Sequence, residues 1–317
     1  MNTDGGRWAG VERSNRVGQD QDGGAPSLAC VVLAHTDPVQ VRRLIAALEP
    51  FPVFLHCDRN TPDDIFAAMT TDLPDRCVVL DRLSTGWAKW ENVAAELAGY
   101  RAALATTDAT HVALLTGADY PLAPTAEISA FLAGHRGRSI ALYLRMPQRR
   151  WGRAGGFARL RYRHLAWRKH MLRLPIPRRL PADMVPVGGS QLKVLARRHA
   201  QAVIDVTEAR PDLVRFWRWS WIADETFVGS VLNSPNLVPG WAAEHVDADM
   251  WWIGWGGQRR KSPPWLDLSY LDRLVAARGG DQDGVPRLFA RKFSSVGGAP
   301  LLDAIDRSLR ASAGAGL

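Results

Sequence analysis

Residues 28–48 read LACVVLAHTDPVQVRRLIAAL. The apolar, valine-rich run from Leu28 to Ala34 ends in polar residues at His35, which is the pattern of a short buried strand. Asp37 and Pro38 then open a helix, an acid suited to the cap followed by a residue whose fixed φ suits the first turn. Val39, Leu44, Ile45 and Leu48 fall at helical spacing, so a core-facing helix follows the strand.

The same pair of signals repeats downstream. PVFLHCD (52–58) leads into TPDDIFAAM (61–69), CVVLD (77–81) into WENVAAELAGYRAALA (90–105), and HVALLTGADYP (111–121) into TAEISAFLAG (125–134). Strands alternating with helices predict an α/β fold, a central, mixed and mostly parallel sheet flanked by helices. Ligands of such sheets bind outside the carboxyl ends of the strands. That rule points to His35, Asp58 and the Gly117 to Asp119 turn. Beyond about residue 143 the alternation gives way to basic loops, and GGSQLKVLARRHAQAVI (188–204) reads as a turn, a short strand and an amphipathic helix.

The chain has 317 residues, 46% hydrophobic and 23% charged, which excludes a disordered, collagen-like or coiled-coil protein. Residues 1–26, rich in Gly, Asp, Gln and Arg without periodicity, are expected to be a disordered tail, and 27–312 a single domain. No run approaches the ~18 apolar residues of a membrane span, nor does the start resemble a signal peptide. The expectation is a cytoplasmic protein. Cys30, Cys57 and Cys77 form no CxxC pair and read as reduced core thiols. The net charge of +8 is uneven, because no acid occurs between Glu127 and Asp183 while arginines crowd Arg145 to Arg179.

Six segments, in order, resemble landmarks of the core-2/I-branching N-acetylglucosaminyltransferases and their peptide O-xylosyltransferase relatives. AHTDPVQVRRLIAAL is similar to AHxDPxQxxRLxxAL, FLHCDR to the family's second strand, and LLTGADYPL to LLSGxDYPL. GGSQ is similar to GSQW, IADETF to PDExF, and LFARKF to FARKF. The resemblance implies the GT-A type of nucleotide-sugar-binding glycosyltransferase fold, with a donor-nucleotide half (27–143) and an acceptor and catalytic half (144–312). It also implies an inverting transfer from a UDP-sugar, N-acetylglucosamine before xylose, to a hydroxyl of a glycan or glycosylated acceptor, with no metal or other cofactor. Three departures stand out: Ala223 replaces the proline of PDE, Leu192 the tryptophan of GSQW, and Trp87-Ala88-Lys89 the WGG before the third helix.

Inverting transfer needs a base for the acceptor hydroxyl and a positive group for the departing diphosphate. Glu225 matches the family's catalytic glutamate, anchored by Phe227, Val228, Val231 and Leu232. The plain alternative is that Asp224 and Glu225 cap a helix, a role left to Asp224. Lys292 matches the lysine that replaces a metal at the diphosphate, beside Arg291 and bracketed by Phe289 and Phe293, which should aim the cation inward. A second cation is expected from Arg259, Arg260 or Lys261, with Arg260 preferred. His35, Asp58, Gly117 and Asp119 are the nucleotide-side candidates. For His35 a core role, for Asp58 a turn role and for Asp119 a loop brace stand as alternatives. Ser190 and Gln191 of the GGSQ turn are acceptor-side candidates. Of the 13 tryptophans most must be core, which leaves one or two of Trp219, Trp221, Trp252 and Trp255 for the acceptor groove.

Three other readings compete. The stretch WGRAGGFARLRYRHLAWRKH (151–170) interleaves arginine with aromatic rings, as a nucleic-acid-binding module would. The same residues, 145–179, would also suit peripheral contact with an anionic inner membrane face, where a lipid-linked acceptor is met. A metal-dependent retaining transferase would need a DxD. The spellings at Asp247 to Asp249 and Asp281 to Asp283 lie outside the strand expected to carry it and read as surface or loop acids.

Overall fold

The computed structural model describes residues 27–167, 170–255, 262–280 and 283–311, without the side chains of residues 166 and 167. The expected tail, residues 1–26, lies outside the described residues. The first half runs β1 (Leu28–Ala34), α1 (Pro38–Ala47), β2 (Val53–Cys57), α2 (Asp63–Thr70), β3 (Cys77–Val79) and α3 (Trp90–Thr106). It continues with β4 (His111–Thr116), β5 (Asp119–Pro121), α4 (Thr125–Ala133), β6 (Ser139–Ile140) and β7 (Tyr143–Arg145). Then come α5 (Ala158–Arg161), β8 (Tyr162–Trp167), β9 (His170–Pro177), β10 (Val187–Gly189), β11 (Lys193–Ala196), α6 (Arg197–Ala209) and α7 (Pro211–Trp217). The chain closes with α8 (Phe227–Leu232), β12 (His245–Val246), β13 (Trp251–Ile253), α9 (Leu271–Arg278), β14 (Phe289–Arg291) and α10 (Ala299–Ser308).

The main sheet has seven strands in the order β12-β6-β11-β4-β1-β2-β3. β1 pairs in parallel with β2 and β4, β2 with β3, and β12 with β6, whereas β11 runs antiparallel to β4 and β6. This is the mixed, mostly parallel sheet that the strand-helix alternation predicts. Its central strand serves two cores at once. Leu28, Cys30, Val32 and Ala34 pack with α1, α4 and α10, while Ala29 and Val31 pack with α3, α6 and α8. A strand covered on both faces has to be apolar at every position, which accounts for its unbroken hydrophobic run.

Two sequence expectations change here. Val39 is exposed, and the buried stripe of α1 is instead Val41, Leu44, Ile45 and Leu48, a true i, i+3, i+4, i+7 set. The segment 111–121 is also two strands rather than one. β5 leaves the main sheet to join β13 and β14 in a three-stranded sheet. The break falls at Gly117, where a Cβ would come within 2.7 Å of Val41 and 3.2 Å of Ala34, so only glycine lets the chain turn so close to β1 and α1.

The segments that carry the family resemblance are locked to one another. Asp37, at φ 54°, caps α1 by accepting the Gln40 amide at 3.2 Å and holds the Ser295 amide at 2.8 Å with its other oxygen. Gln40 donates to the Asp119 carbonyl at 3.3 Å, and the Phe293 amide donates to the Ala118 carbonyl at 2.8 Å. Arg43 reaches Asp303 and Asp306 at 2.7 Å each, and the Tyr120 hydroxyl donates to Asp306 at 2.9 Å. The opening, central and closing landmarks therefore meet at the carboxyl edge of the sheet, beside the ends of β1 and β4.

Cys30 and Cys57 are buried and Cys77 is partly so, all as free thiols. Burial pushes the Cys77 thiol up to about 11, so it stays protonated at neutral pH. No helix among the described residues is long and apolar enough to cross a membrane.

Candidate active site

His35 ends β1 exposed rather than in the core, with its carbonyl accepting the Thr61 hydroxyl at 3.0 Å. Among the described residues its ring has no hydrogen-bond partner, which leaves it open to a ligand. Asp58 ends β2, and its carboxylate accepts the Asn60 amide at 2.8 Å, the Asn60 side chain at 2.9 Å and the Thr85 hydroxyl at 2.6 Å. Those bonds give Asp58 a turn role and fix loop 81–86 over the strand ends. Beneath it, burial lowers the pKa of His56, whose Nε2 accepts the Leu83 amide at 2.9 Å, so the ring is neutral and pins the same loop.

Asp119 is wholly buried. Its carboxylate accepts the Thr116 amide at 2.8 Å and hydroxyl at 3.1 Å, and Arg291 approaches to 3.5 Å. Burial raises its pKa while Arg291 opposes the rise. The side chain braces the turn from within, so any donor contact here falls to the backbone or to Arg291. Arg291 also donates to the Thr116 hydroxyl at 2.9 Å, which leaves it half committed to the brace.

Lys292 follows on the same strand end. Phe289 and Phe293 are buried as expected, yet the ammonium does not turn inward. It lies 4.1 Å from the centre of the Trp265 ring and donates to the Ser262 hydroxyl at 3.1 Å. Partial burial lowers its pKa, helped by Arg291. Arg259, Arg260 and Lys261 lie outside the described residues.

The carboxylate turn is built differently. Residues 223–225 form a single 3-10 turn ahead of α8, whose Phe227, Val228, Val231 and Leu232 are all buried. The turn is entered through Ile222 at φ 57°, and the Ile222 amide donates at 3.2 Å to the carbonyl of Ala88, itself at φ 62°. Left-handed backbone is an outlier for a β-branched residue. Ala88 stands where the resemblance noted above places a glycine, the residue that adopts such a backbone without strain. Asn92, in the first turn of α3, donates to the Gly86 carbonyl at 3.0 Å and to Asp224 at 3.2 Å. The N-terminus of α3 thus holds the carboxylate turn at the carboxyl edge of the sheet.

Neither carboxylate caps α8, which has no side-chain cap at Thr226. Asp224 turns toward α3, with Oδ1 buried and unpartnered, and burial raises its pKa. Glu225 faces Arg159 at 3.8 Å. Burial, reinforced by Asp224 and opposed by Arg159, pushes the Glu225 carboxyl up to about 7. Its side chain keeps 43% exposure, so solvent moderates that rise. Removing the guanidinium in Arg159→Gln should move the acidic limb of kcat/KM to higher pH, because a base is active only when deprotonated and Arg159 favours that form. A pH-rate profile on both proteins checks this, and a limb that stays put or moves down would detach Arg159 from Glu225.

Behind the turn lies an ion pair that the sequence reading missed. Lys193 on β11 donates to Glu96 on α3 at 2.7 Å, both side chains being 1% exposed, and the Tyr100 hydroxyl donates to the same oxygen at 2.7 Å. The second Glu96 oxygen and the Tyr143 hydroxyl are buried without partners. The signal was present, since Glu96 interrupts the stripe Val93, Leu97, Tyr100 and Lys193 interrupts LKVLA. Arg159 carried no comparable signal.

The aromatic candidates divide between the two groups. Trp221 sits half-buried, edge-on to the exposed Trp87 at 6.1 Å and with Arg159 5.9 Å from its ring centre, which places it with Glu225. Trp219 is exposed under Arg163 at 5.4 Å. Trp252, against Tyr270 at 5.9 Å, and the exposed Trp255 belong to the β13 side, beside β14, which Lys292 follows. Ser190 and Gln191 are half-buried, the Ser190 hydroxyl accepting the Leu192 amide at 3.1 Å, and Leu192 packs in the core.

Among the described residues no three of His, Cys, Asp and Glu are grouped to hold a metal. Asp247 is exposed, whereas Asp249, in the loop between β12 and β13, is half-buried, its carboxyl pushed up to about 6 by burial and accepting the Trp251 amide at 2.9 Å. Asp283 pairs with Arg287 at 2.8 Å, and Asp281 lies outside the described residues.

No curated protein matches the chain. Among solved structures it is similar to a Bacillus anthracis protein assigned as a glucose-1-phosphate thymidylyltransferase, in complex with a sucrose, at 9% identity and a TM-score of 0.30, over 61% of this chain and 82% of that one. It is also similar to HddC from Yersinia pseudotuberculosis at 11% identity and a TM-score of 0.27, over 55% of this chain and 79% of that one. The family model described as Core-2/I-Branching enzyme matches residues 34–268, from the end of β1 to the turn before α9. The chain belongs to the Core-2/I-Branching enzyme family, and is a glycosyltransferase.

Proposed function

We propose that the protein is an inverting, metal-independent transferase that moves a sugar from a UDP carrier to a hydroxyl of a glycan or glycosylated acceptor, N-acetylglucosamine in preference to xylose. The observation that carries the reading is Glu225, a partly exposed carboxyl pushed up to about 7 on a turn fixed at the carboxyl edge of the sheet. A group poised near the working pH accepts a proton most effectively as the bond forms.

In this reading the acceptor hydroxyl gives its proton to Glu225 while its oxygen bonds to the anomeric carbon. The bond to the diphosphate breaks on the opposite face, and its electron pair leaves with UDP. Lys292 and Arg291 offset the charge that builds there, joined by a second cation from Arg259, Arg260 or Lys261, Arg260 being preferred. Half-buried rings, Trp221 on the Glu225 side, are suited to the apolar face of an acceptor sugar. His35 meets the nucleoside in the same reading, a role supported by its exposure just past the end of β1.

Thermal unfolding with UDP-N-acetylglucosamine and UDP-xylose, each with and without chelator, tests the donor and the clamp together. A ligand of the folded state raises its stability by RT ln(1 + [L]/Kd). A chelator-resistant shift is the expected result, larger for N-acetylglucosamine. Lys292→Ala should shrink the shift with UDP itself, since charge-assisted bonds are worth about 1.5–3 kcal/mol, roughly tenfold or more in affinity. An unchanged UDP affinity would remove Lys292 from the clamp.

A further inference from the structure

We infer that the β8–β9 hairpin is a docking surface for an anionic lipid bilayer. Among the described residues the two strands pair only with each other. Leu165 stands directly opposite Leu172 in their register, and both are exposed, at 43% and 41%, as is Ile176 at 43%. Cross-strand partners share a face, as do residues two apart, so Arg163 lies on the same side as this aliphatic patch.

The reverse side is fastened to the molecule. His164 is buried, its amide donating to the Trp219 carbonyl at 2.8 Å and its ring 6.0 Å from that of Trp221. Arg178, at the end of β9, stacks 4.1 Å from the Phe216 ring and donates to the Leu160 carbonyl at 2.7 Å and the Ser220 hydroxyl at 2.9 Å. A hairpin held this firmly has no structural need for exposed leucines on its free face. Its charge is of one sign, because no acid occurs between Glu127 and Asp183.

Exposed aliphatic side chains beside arginine suit the interface of a bilayer, where the apolar groups enter the acyl boundary and the cations meet anionic headgroups. They do not suit nucleic acid, which stacks bases on open aromatic faces. Here, among the described residues, the rings beside the hairpin already carry guanidinium partners, Trp219 with Arg163 at 5.4 Å and Tyr162 with Arg173 at 5.0 Å. The patch adjoins the Trp219 to Trp221 segment that leads into the Glu225 turn, so docking would bring that turn to the membrane surface.

The test is flotation of the full chain with phosphatidylcholine vesicles, with and without phosphatidylglycerol. The parent should float with the anionic vesicles only, and added salt should weaken but not abolish recovery. Near an anionic surface each basic side chain is worth about fivefold in partitioning, so Arg163→Gln should lower it roughly fivefold. Leu165→Asp with Leu172→Asp should abolish flotation at unchanged melting temperature, whereas Glu225→Gln should float like the parent, which keeps this result separate from the chemistry proposed for Glu225. Equal recovery with neutral and anionic vesicles, no recovery at all, or undiminished flotation of the leucine variant each overturns the inference. So does release from anionic vesicles by single-stranded DNA that the leucine variant binds as tightly as the parent.

Discussion

Glu225→Gln is expected to lower turnover by about 10²–10⁴-fold, the range a positioned general base supplies, while UDP binding stays close to that of the parent. The amide keeps the size and most of the polarity of the side chain and loses only the capacity to take the proton. Steady-state rates give the first quantity and the UDP-dependent rise in melting temperature the second. A variant that turns over like the parent would dismiss Glu225 as the proposed base. A variant that also loses UDP binding would mean that the turn, not the proton, had been disturbed. Stability should move the other way. A carboxyl whose folded pKa lies above its unfolded value weakens the folded state progressively as pH rises from the unfolded value to the folded one, so the glutamine form should gain on the parent between about pH 4.5 and about 7 and keep that gain above it.

Lys193→Ala should cost about 3–5 kcal/mol of folding stability, because it leaves the Glu96 carboxylate buried and unpaired. Urea unfolding measures it. The informative comparison is the double replacement Lys193→Met with Glu96→Gln, which removes both charges and keeps the volume. It should recover most of the loss, since a buried ion pair exchanged for neutral groups of like shape is often neutral in effect. If Lys193→Ala unfolds within about 1 kcal/mol of the parent, Glu96 is protonated or hydrated without its partner, and the pair contributes little.

Much of this architecture could be read from residues because the sheet is covered on both faces. A strand such as Leu28–Ala34 must be apolar throughout, and that leaves an unmistakable run. The split between β4 and β5 left no such trace, since TGADYP continues an apolar stretch and only the approach of Gly117 to Val41 forces the chain out of line. Val39 was misread because valine after a proline cap resembles the start of a stripe that begins two residues later. Asp224 and Glu225 stood at a helix start, where acids are favoured locally, and only the contact from Asn92, 132 residues away in sequence, separates the one that supports from the one that faces outward. Asp58 and Asp119 were visible as strand-end acids. Their engagement with Thr85 and Arg291 depends on loops whose paths no local pattern encodes. The landmarks of the family proved easiest to find and are chiefly fastenings, Asp37 to Ser295 and Tyr120 to Asp306 among them.

The left-handed pair Ala88 and Ile222 stores conformational energy, about 1–2 kcal/mol per residue, next to the carboxylate it helps to aim. Energy held in one turn is released when that turn lets go, so this corner should loosen before the sheet does. On warming, turnover would fade while the far-ultraviolet signal was still whole, and the amide hydrogens of Ile222 and Glu225 would exchange with solvent well ahead of those of β1. The temperature ceiling on the enzyme would then be set by two residues and one hydrogen bond, not by its core.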